Sequence, residues 1–102
     1  AVLRAFATAI HAGIRAHDRL VRWGGEEFLI VCPATGPEQA RVLAEKLRAG
    51  LRDCAWPAGL SPTASFGIAA RTHDEDIGTV IKRADAALYA AKAGGRDQVV
   101  AA

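Results

Sequence analysis

The chain has 102 residues, 51% of them apolar, and 13 basic residues against 11 acidic ones leave a net charge of +2. This length suits one domain, and so small a charge without a Lys/Arg run argues against a nucleic-acid-binding or membrane-surface protein. The longest apolar run is too short to span a bilayer, no signal-peptide pattern opens the sequence, and two cysteines are too few for a disulfide framework, so we expect a cytoplasmic protein.

The hydrophobic pattern first predicts a helix and a β-hairpin. Apolar residues recur at every fourth position from Val2 to about Ala16, which indicates an amphipathic helix. Residues 21–23 and 28–32 are apolar and β-prone, and the glycine pair Gly24-Gly25 between them is a good tight turn for antiparallel strands. The chain therefore opens as α-β-β.

The remaining elements follow in the order αβαβ. Thr35 and Glu38 have the spacing of a capping box, which predicts a helix that ends near residue 53. The alternation over residues 63–69 predicts a half-buried strand, and a third helix over residues 77–91 is ended by two glycines. With a short last strand at residues 99–100, the complete order is αββαβαβ.

The most informative segment is Gly24-Gly25-Glu26-Glu27, which we call the signature turn. Glycine has no Cβ, so a polyphosphate can approach the backbone N–H groups of such a turn. Adjacent carboxylates would repel the phosphates unless a hard cation such as Mg²⁺ lay between them. The turn therefore favours a metal-assisted nucleotide site, and the alternative is a tight hairpin with two solvated glutamates.

Three segments together resemble the GGDEF family of diguanylate cyclases. The signature turn with Phe28 resembles the loop that names the family, which carries Asp or Glu at its third position. Residues 63–69, TASFGIA, resemble the family's T-x-S-x-G-x-A strand. Residues 84–92, ADAALYAAK, with Gly95-Arg96 resemble its last helix and exit. The motifs occur in the family's order, so we assign residues 1–102 to one GGDEF domain.

The resemblance implies an α+β fold of the polymerase-palm or nucleotidyl-cyclase type. Such a domain has a ferredoxin-like βαββαβ core, in which helices back an antiparallel sheet. Relative to this pattern the sequence is N-terminally truncated, because the first strand and helix are missing. The absent strand is the central one, so we expect a gap in the sheet with two unpaired edges.

The resemblance also implies an activity, the condensation of two GTP molecules into cyclic di-GMP and pyrophosphate. It assigns catalytic roles to Glu26 and Glu27, and metal binding to Glu26, with Mg²⁺ as the cofactor and Mn²⁺ as an alternative. Substrate binding falls to Gly24 and Gly25 of the signature turn and to Lys92 and Arg96, the cations that hold the triphosphate. For the two cations, the alternative is a helix-terminal lysine and an exposed loop arginine.

Arg15 and Asp18, which we call the RxxD pair, match the family's product-inhibition motif at its usual distance from the signature turn. A planar cation and a carboxylate acceptor suit the face and the N–H edge of guanine. The alternative is an ordinary ion pair three residues apart.

The family pattern also implies partners. These are GTP and cyclic di-GMP, a second GGDEF domain in a homodimer, and an N-terminal sensor or receiver domain, with no nucleic acid and no membrane segment. The family's opening segment carries a further metal-binding Asp, which this sequence lacks. Two other hypotheses therefore stay open, a non-catalytic module that binds cyclic di-GMP or GTP and an inactive domain fragment.

Overall fold

The fold is described from a computed structural model over residues 2–24, 27–53, 56 and 62–102, with side chains from residue 5 onward. The elements are α1 (Val2–Gly13), β1 (Arg19–Gly24), β2 (Glu27–Val31), α2 (Pro37–Gly50) with a 3₁₀ turn (Leu51–Asp53), β3 (Phe66–Ile68), α3 (Ile77–Ala93) and β4 (Val99–Ala101). The predicted α+β class and the order αββαβαβ are confirmed. None of the helices in these ranges is long and apolar enough to cross a membrane.

The four strands in the described ranges form two separate pairs. β1 and β2 pair antiparallel, with Leu20 opposite Ile30 and Arg22 opposite Phe28. β3 and β4 pair in parallel, with Phe66 opposite Val99, and α3 makes the crossover between them. No hydrogen-bonded ladder joins the two pairs within the described ranges. This division agrees with the gap that the sequence predicts in the sheet.

Helices α1 and α2 cover one face of both strand pairs. The centre of the core is formed by Ile10, Leu47 and Leu51, each at most 5% exposed. Leu20 and Ile30 from the hairpin and Phe66 from β3 pack against this centre. A shared layer of helices therefore holds the two pairs side by side, although none of the described strands bridges them.

Helix α3 covers the opposite face, and it approaches β3 very closely at Gly67. A Cβ added at Gly67 would overlap the carbonyl oxygen of Ala84 and the backbone nitrogen of Leu88. Successive strand residues face opposite sides of a sheet, so Phe66 faces α1 and α2 while Gly67 faces α3. The glycine in the predicted T-x-S-x-G-x-A strand is therefore required by helix packing.

Several local predictions differ from the structure. β3 spans three residues where seven were predicted, and α1 ends at Gly13, three residues earlier than predicted.

The prediction that Thr35 caps α2 is wrong. The N-cap of α2 is Gly36, and the Gln39 side chain accepts from the Gly36 N–H at 3.1 Å. Tyr89, within the ADAALYAAK motif of α3, is 76% exposed. Of the predicted Gly24-Gly25 turn, Gly24 belongs to β1 and pairs with Glu27, and Gly25 lies outside the described residues.

An ion pair stabilises the loop between β3 and α3. The Arg83 guanidinium donates to both carboxylate oxygens of Glu75, each at 2.7 Å, and also to the carbonyl of Ala70. The Thr72 N–H donates to the same carboxylate at 3.0 Å. These hydrogen bonds lower the pKa of Glu75 from 4.5 to about 2, with Arg83 as the largest cause and the Thr72 N–H as the next. The loop thus depends on a charged Glu75.

We predict that Gly67→Ala destabilises the fold by about 1–3 kcal/mol, because the new methyl group must push the backbone of α3 away from β3. Urea unfolding followed by circular dichroism measures the change. Gly50→Ala is a matched control, since nothing lies within 4 Å of a Cβ at Gly50. It ends a helix, so alanine there should leave stability unchanged or raise it slightly. Equal effects of the two substitutions would contradict the close approach at Gly67.

We predict that Glu75 makes stability fall in acid. Its pKa is lower in the folded state, so its stabilisation is complete above the unfolded-state value of 4.5 and is lost as the pH falls toward about 2. In Glu75→Gln the urea midpoint should therefore fall less between about pH 5 and about pH 2.5 than in the wild type. Asp85→Asn is the control, because Asp85 is exposed on α3 and makes no described ion pair. A wild-type pH profile in Glu75→Gln would refute the assignment.

Candidate functional site

The signature turn lies at the end of the β1–β2 hairpin. The register shifts between Arg22 and Gly24, which makes a bulge at Trp23, and Gly24 then pairs with Glu27. Bulges near the end of a hairpin twist the strands and redirect the side chains that follow. Gly24 and Glu27 are in place at the two ends of the turn, whereas Gly25 and Glu26 lie outside the described residues.

Glu27 faces the side of the sheet that α3 covers. It precedes Phe28, whose ring stacks on Phe6 of α1 at a centroid distance of 5.9 Å, so the alternation of a strand directs Glu27 the other way. There the Glu27 Oε2 lies 3.5 Å from the Lys92 Nζ near the C-terminus of α3. The fold thus brings together two predicted site residues that are 65 positions apart in the sequence.

The Glu27–Lys92 contact is loose and open to water. Its 3.5 Å distance is at the long end for a hydrogen bond, and the two side chains are 42% and 37% exposed. Exposed pairs of this kind contribute about 0–1 kcal/mol, because solvent screens them. Lys92 can therefore exchange Glu27 for a phosphate, and Glu27 can exchange Lys92 for a cation, at little cost in free energy.

Arg96 lies on what we call the exit turn, residues 94–97, directly after α3. Gly95, Arg96 and Asp97 all have positive φ angles, of 117°, 63° and 46°. For residues with a Cβ this conformation costs about 1–2 kcal/mol each, so the surrounding contacts must hold it in place. The Arg96 side chain is exposed and has no ion pair among the described residues.

Asp97 fastens the exit turn to α2. Its two carboxylate oxygens accept from Arg48 at 3.0 Å and from Arg52 at 3.3 Å, and its N–H donates to the Ser65 hydroxyl at 3.1 Å. Arg48 is the main cause that lowers the pKa of Asp97. No motif in the sequence singled out residue 97.

The RxxD pair lies in the turn between α1 and β1, where it is closed on itself. Asp18 Oδ2 accepts from both the backbone N–H and the Nε of Arg15, each at 2.9 Å, and Oδ1 accepts from Arg15 Nη2 at 3.0 Å. The Asp18 side chain is 1% exposed, whereas that of Arg15 is 49% exposed. The Arg15 hydrogen bonds hold the pKa of Asp18 below its ordinary value. Arg15 is thus the accessible member of the pair.

Arg15 also connects this turn to the segment before α2. Its Nη2 donates to the Thr35 hydroxyl at 2.6 Å, and Thr35 in turn donates to the carbonyl of Pro33. This contact explains why Thr35 does not cap α2. Burial is the main cause that raises the pKa of the neighbouring Cys32 thiol, which keeps it neutral.

The RxxD pair opens on a cavity of about 270 Å³. Its walls combine apolar groups with two arginines and a histidine, which suits an anion that also presents a flat ring. The lining residues are His11, Ile14, Arg15, Ala16, Asp18, Arg19 and Leu20.

The described residues contain no cluster of three or more His, Cys, Asp and Glu side chains that could hold a metal ion. The donor at the signature turn is the half-exposed carboxylate of Glu27. Mg²⁺ usually takes one or two carboxylates and completes its six-oxygen shell with waters and substrate phosphates. This donor set therefore fits a cation shared with a bound nucleotide, and it does not fit a closed site made by protein alone.

Comparisons with known proteins identify the family. The sequence matches the family model for the diguanylate cyclase GGDEF domain over residues 1–98. Diguanylate cyclase DgcP of Pseudomonas aeruginosa is 42% identical over 101 residues, which cover 96% of this chain and 15% of DgcP.

Two solved structures share the fold. Diguanylate cyclase SiaD from Pseudomonas aeruginosa, in complex with its activator SiaC, superposes with a TM-score of 0.91 at 40% identity, over 99% of this chain and 40% of SiaD. The GGDEF domain of DgcB from Caulobacter crescentus, in complex with c-di-GMP, superposes with a TM-score of 0.86 at 32% identity. The match covers 98% of this chain and 62% of the DgcB chain. This chain thus matches one part of longer proteins, and it belongs to the GGDEF domain family of diguanylate cyclases.

Proposed function

We propose that residues 1–102 act as the catalytic GGDEF domain of a diguanylate cyclase, which condenses two GTP molecules into cyclic di-GMP. In each of two steps a ribose 3′-oxygen forms a bond to the α-phosphorus of the other GTP. The bond from that phosphorus to the α,β-bridging oxygen breaks, the hydroxyl proton is lost to base, and pyrophosphate leaves. Reactions of this kind depend mainly on positioning and on neutralising phosphate charge.

The observation that carries the proposal is the approach of Lys92 to Glu27 at the signature turn. A cation beside a carboxylate offers one group for phosphate oxygens and one for a divalent ion. Because the pair is half-exposed and long, a nucleotide can separate it at little cost. Arg96 would add a planar fork for the outer phosphates, and Gly24 would leave space at the backbone.

Glu27 and Glu26 would hold the divalent ion, with Mg²⁺ as the proposed metal and Mn²⁺ as the alternative. Glu26 remains the assigned metal ligand, although it lies outside the described residues. When bound, the ion would neutralise charge that develops on the phosphates. Lys92 and Arg96 would orient the triphosphate toward the second nucleotide.

The reaction needs two nucleotides in opposed orientations, so we propose that two copies of the domain meet face to face as a homodimer. We also propose that an N-terminal sensor or receiver domain in the longer protein controls this meeting, and that the protein works in the cytoplasm. The relative SiaD was solved with an activator, which supports regulation by a partner.

We further propose that the RxxD pair and its cavity bind cyclic di-GMP as an inhibitor. The exposed Arg15 guanidinium would stack on or hydrogen-bond to guanine. Asp18 already has three hydrogen bonds from Arg15, so a guanine N–H would have to share or displace one of them. The relative DgcB was solved in complex with c-di-GMP, which supports the choice of ligand.

A second candidate function is a cyclic di-GMP-binding module without turnover. The cavity beside Arg15 favours it, because residues that line this cavity are all described, whereas the described part of the signature turn supplies one carboxylate. The two candidates differ in one result, which is whether GTP is consumed.

We predict that the chain converts GTP into cyclic di-GMP and pyrophosphate in the presence of Mg²⁺, and that Lys92→Ala raises the KM for GTP about tenfold through loss of a phosphate contact. Chromatography of the nucleotides measures both. Lys82→Ala, which removes an exposed lysine from the same helix, should change the KM less than about twofold. Unchanged GTP together with retained cyclic di-GMP binding would replace the cyclase proposal by the binding module.

We predict that Arg15→Ala weakens cyclic di-GMP binding at least about tenfold, because the accessible charged donor is lost. Isothermal titration calorimetry gives the Kd, and circular dichroism checks the fold. Arg15→Lys keeps a positive charge beside Asp18 but removes the planar guanidinium with its paired N–H donors. It should therefore bind cyclic di-GMP with intermediate affinity. His17→Ala, at an exposed position inside the same turn, should bind normally. Normal binding by both Arg15 variants would refute the inhibitor site.

A further inference from the structure

The exit turn holds a strained conformation that its own sequence does not favour. Arg96 and Asp97 both have left-handed φ angles, and Gly95 precedes them with a third positive φ. Asp tolerates this conformation better than most residues, whereas Arg has no such tendency. A contact outside the turn must therefore select it, and the structure shows where that contact is made.

The contact comes from α2 and reaches the turn through Asp97. Arg48 and Arg52 lie 49 and 45 positions earlier in the chain, and each donates to a different oxygen of the Asp97 carboxylate. Arg48 is itself oriented by Glu45 at 3.0 Å, so its guanidinium bridges two carboxylates. Asp97 is thus anchored on both oxygens, and it adds its N–H bond to Ser65.

The anchored Asp97 helps to fix the backbone from which the Arg96 side chain projects. The N–H of Arg96 is bonded to the carbonyl of Ala91 at 2.9 Å, and the Gln98 side chain donates to the same carbonyl at 3.0 Å. With the backbone fixed on both sides of it, the exposed Arg96 side chain leaves the turn four residues after Lys92, just beyond the end of α3. If the exit turn were flexible, its backbone would lose conformational freedom each time Arg96 bound a phosphate, and this loss would weaken binding.

We propose that Asp97 is a positioning residue for the triphosphate, which acts through Arg48 and Arg52 to hold the exit turn so that Arg96 is pre-organised. This proposal rests on the proposed function, because it takes Arg96 as a phosphate-binding residue. It adds a specificity role, since a fixed Arg96 beyond Lys92 discriminates a nucleoside triphosphate from a monophosphate. The ion pairs to α2 make the role depend on charge at residue 97.

The test measures the Kd of the full chain, in Mg²⁺ buffer, for a GTP analogue with a methylene bridge between the α- and β-phosphorus atoms, and for GMP. Asp97→Asn keeps the size of the side chain and its tolerance of the left-handed conformation, but it removes the charge. We expect the Kd of the analogue to rise about tenfold and that of GMP to change less than about twofold. Arg48→Met should act in the same direction, and the double variant should lose little more than either single variant.

The controls separate this proposal from the proposed function. Arg41→Ala removes a similar ion pair, with Glu38, from the same helix without touching the exit turn, so it should bind like the wild type. If Arg96→Ala binds the analogue normally, the phosphate role of Arg96 is wrong and this inference fails with it. If Arg96→Ala weakens binding but Asp97→Asn does not, the positioning role alone is overturned. Equal losses for the analogue and GMP in Asp97→Asn would also overturn it, because they would indicate general damage to the fold.

Discussion

The contact between Gly67 and the backbone of α3 is the constraint on which the arrangement of the site depends. Because β3 carries no side chain there, α3 lies directly on the strand, next to Ala84 and Leu88. The start of α3 is fixed independently by Asp76, which caps it by accepting from the Thr79 N–H at 2.9 Å. Because α3 is held at its start and at its middle, the position of its C-terminal end is also fixed. Lys92 therefore reaches the signature turn although no ladder joins the two strand pairs in the part of the chain that the structure describes.

The elements that were predicted well are those whose pattern is local. The periodicity of α3 and the alternation of the hairpin depend on nearest neighbours, so their order was correct from the sequence. The shortness of β3 and the φ angles of the exit turn depend on contacts with distant elements, which no local pattern encodes. Thr35 shows the difference, since its spacing to Glu38 is that of a cap, yet a hydrogen bond from Arg15 takes its hydroxyl.

The residues of the candidate site were predicted from the sequence, whereas the contacts between them were not. Motif resemblance selected Glu27, Lys92, Arg96 and Arg15, but it gave no distances between them. The role of Asp97 was missed, because residue 97 lies outside the motifs that carry the resemblance. A carboxylate at position 97 makes physical sense only together with the arginines of α2, and spacings of 45 and 49 residues carry no recognisable pattern.

The two candidate sites differ in how readily a ligand can use them. The Glu27–Lys92 pair is long and half-exposed, so little stabilisation is lost when a nucleotide separates it. The RxxD pair has a buried carboxylate with three hydrogen bonds, so a ligand that broke it would leave Asp18 poorly satisfied. Binding at that site should therefore use the exposed side of Arg15 and leave its bonds to Asp18 intact. The first bond to be exchanged is then the one to Thr35, which links the cavity to the start of α2, while Arg48 links the end of α2 to the exit turn.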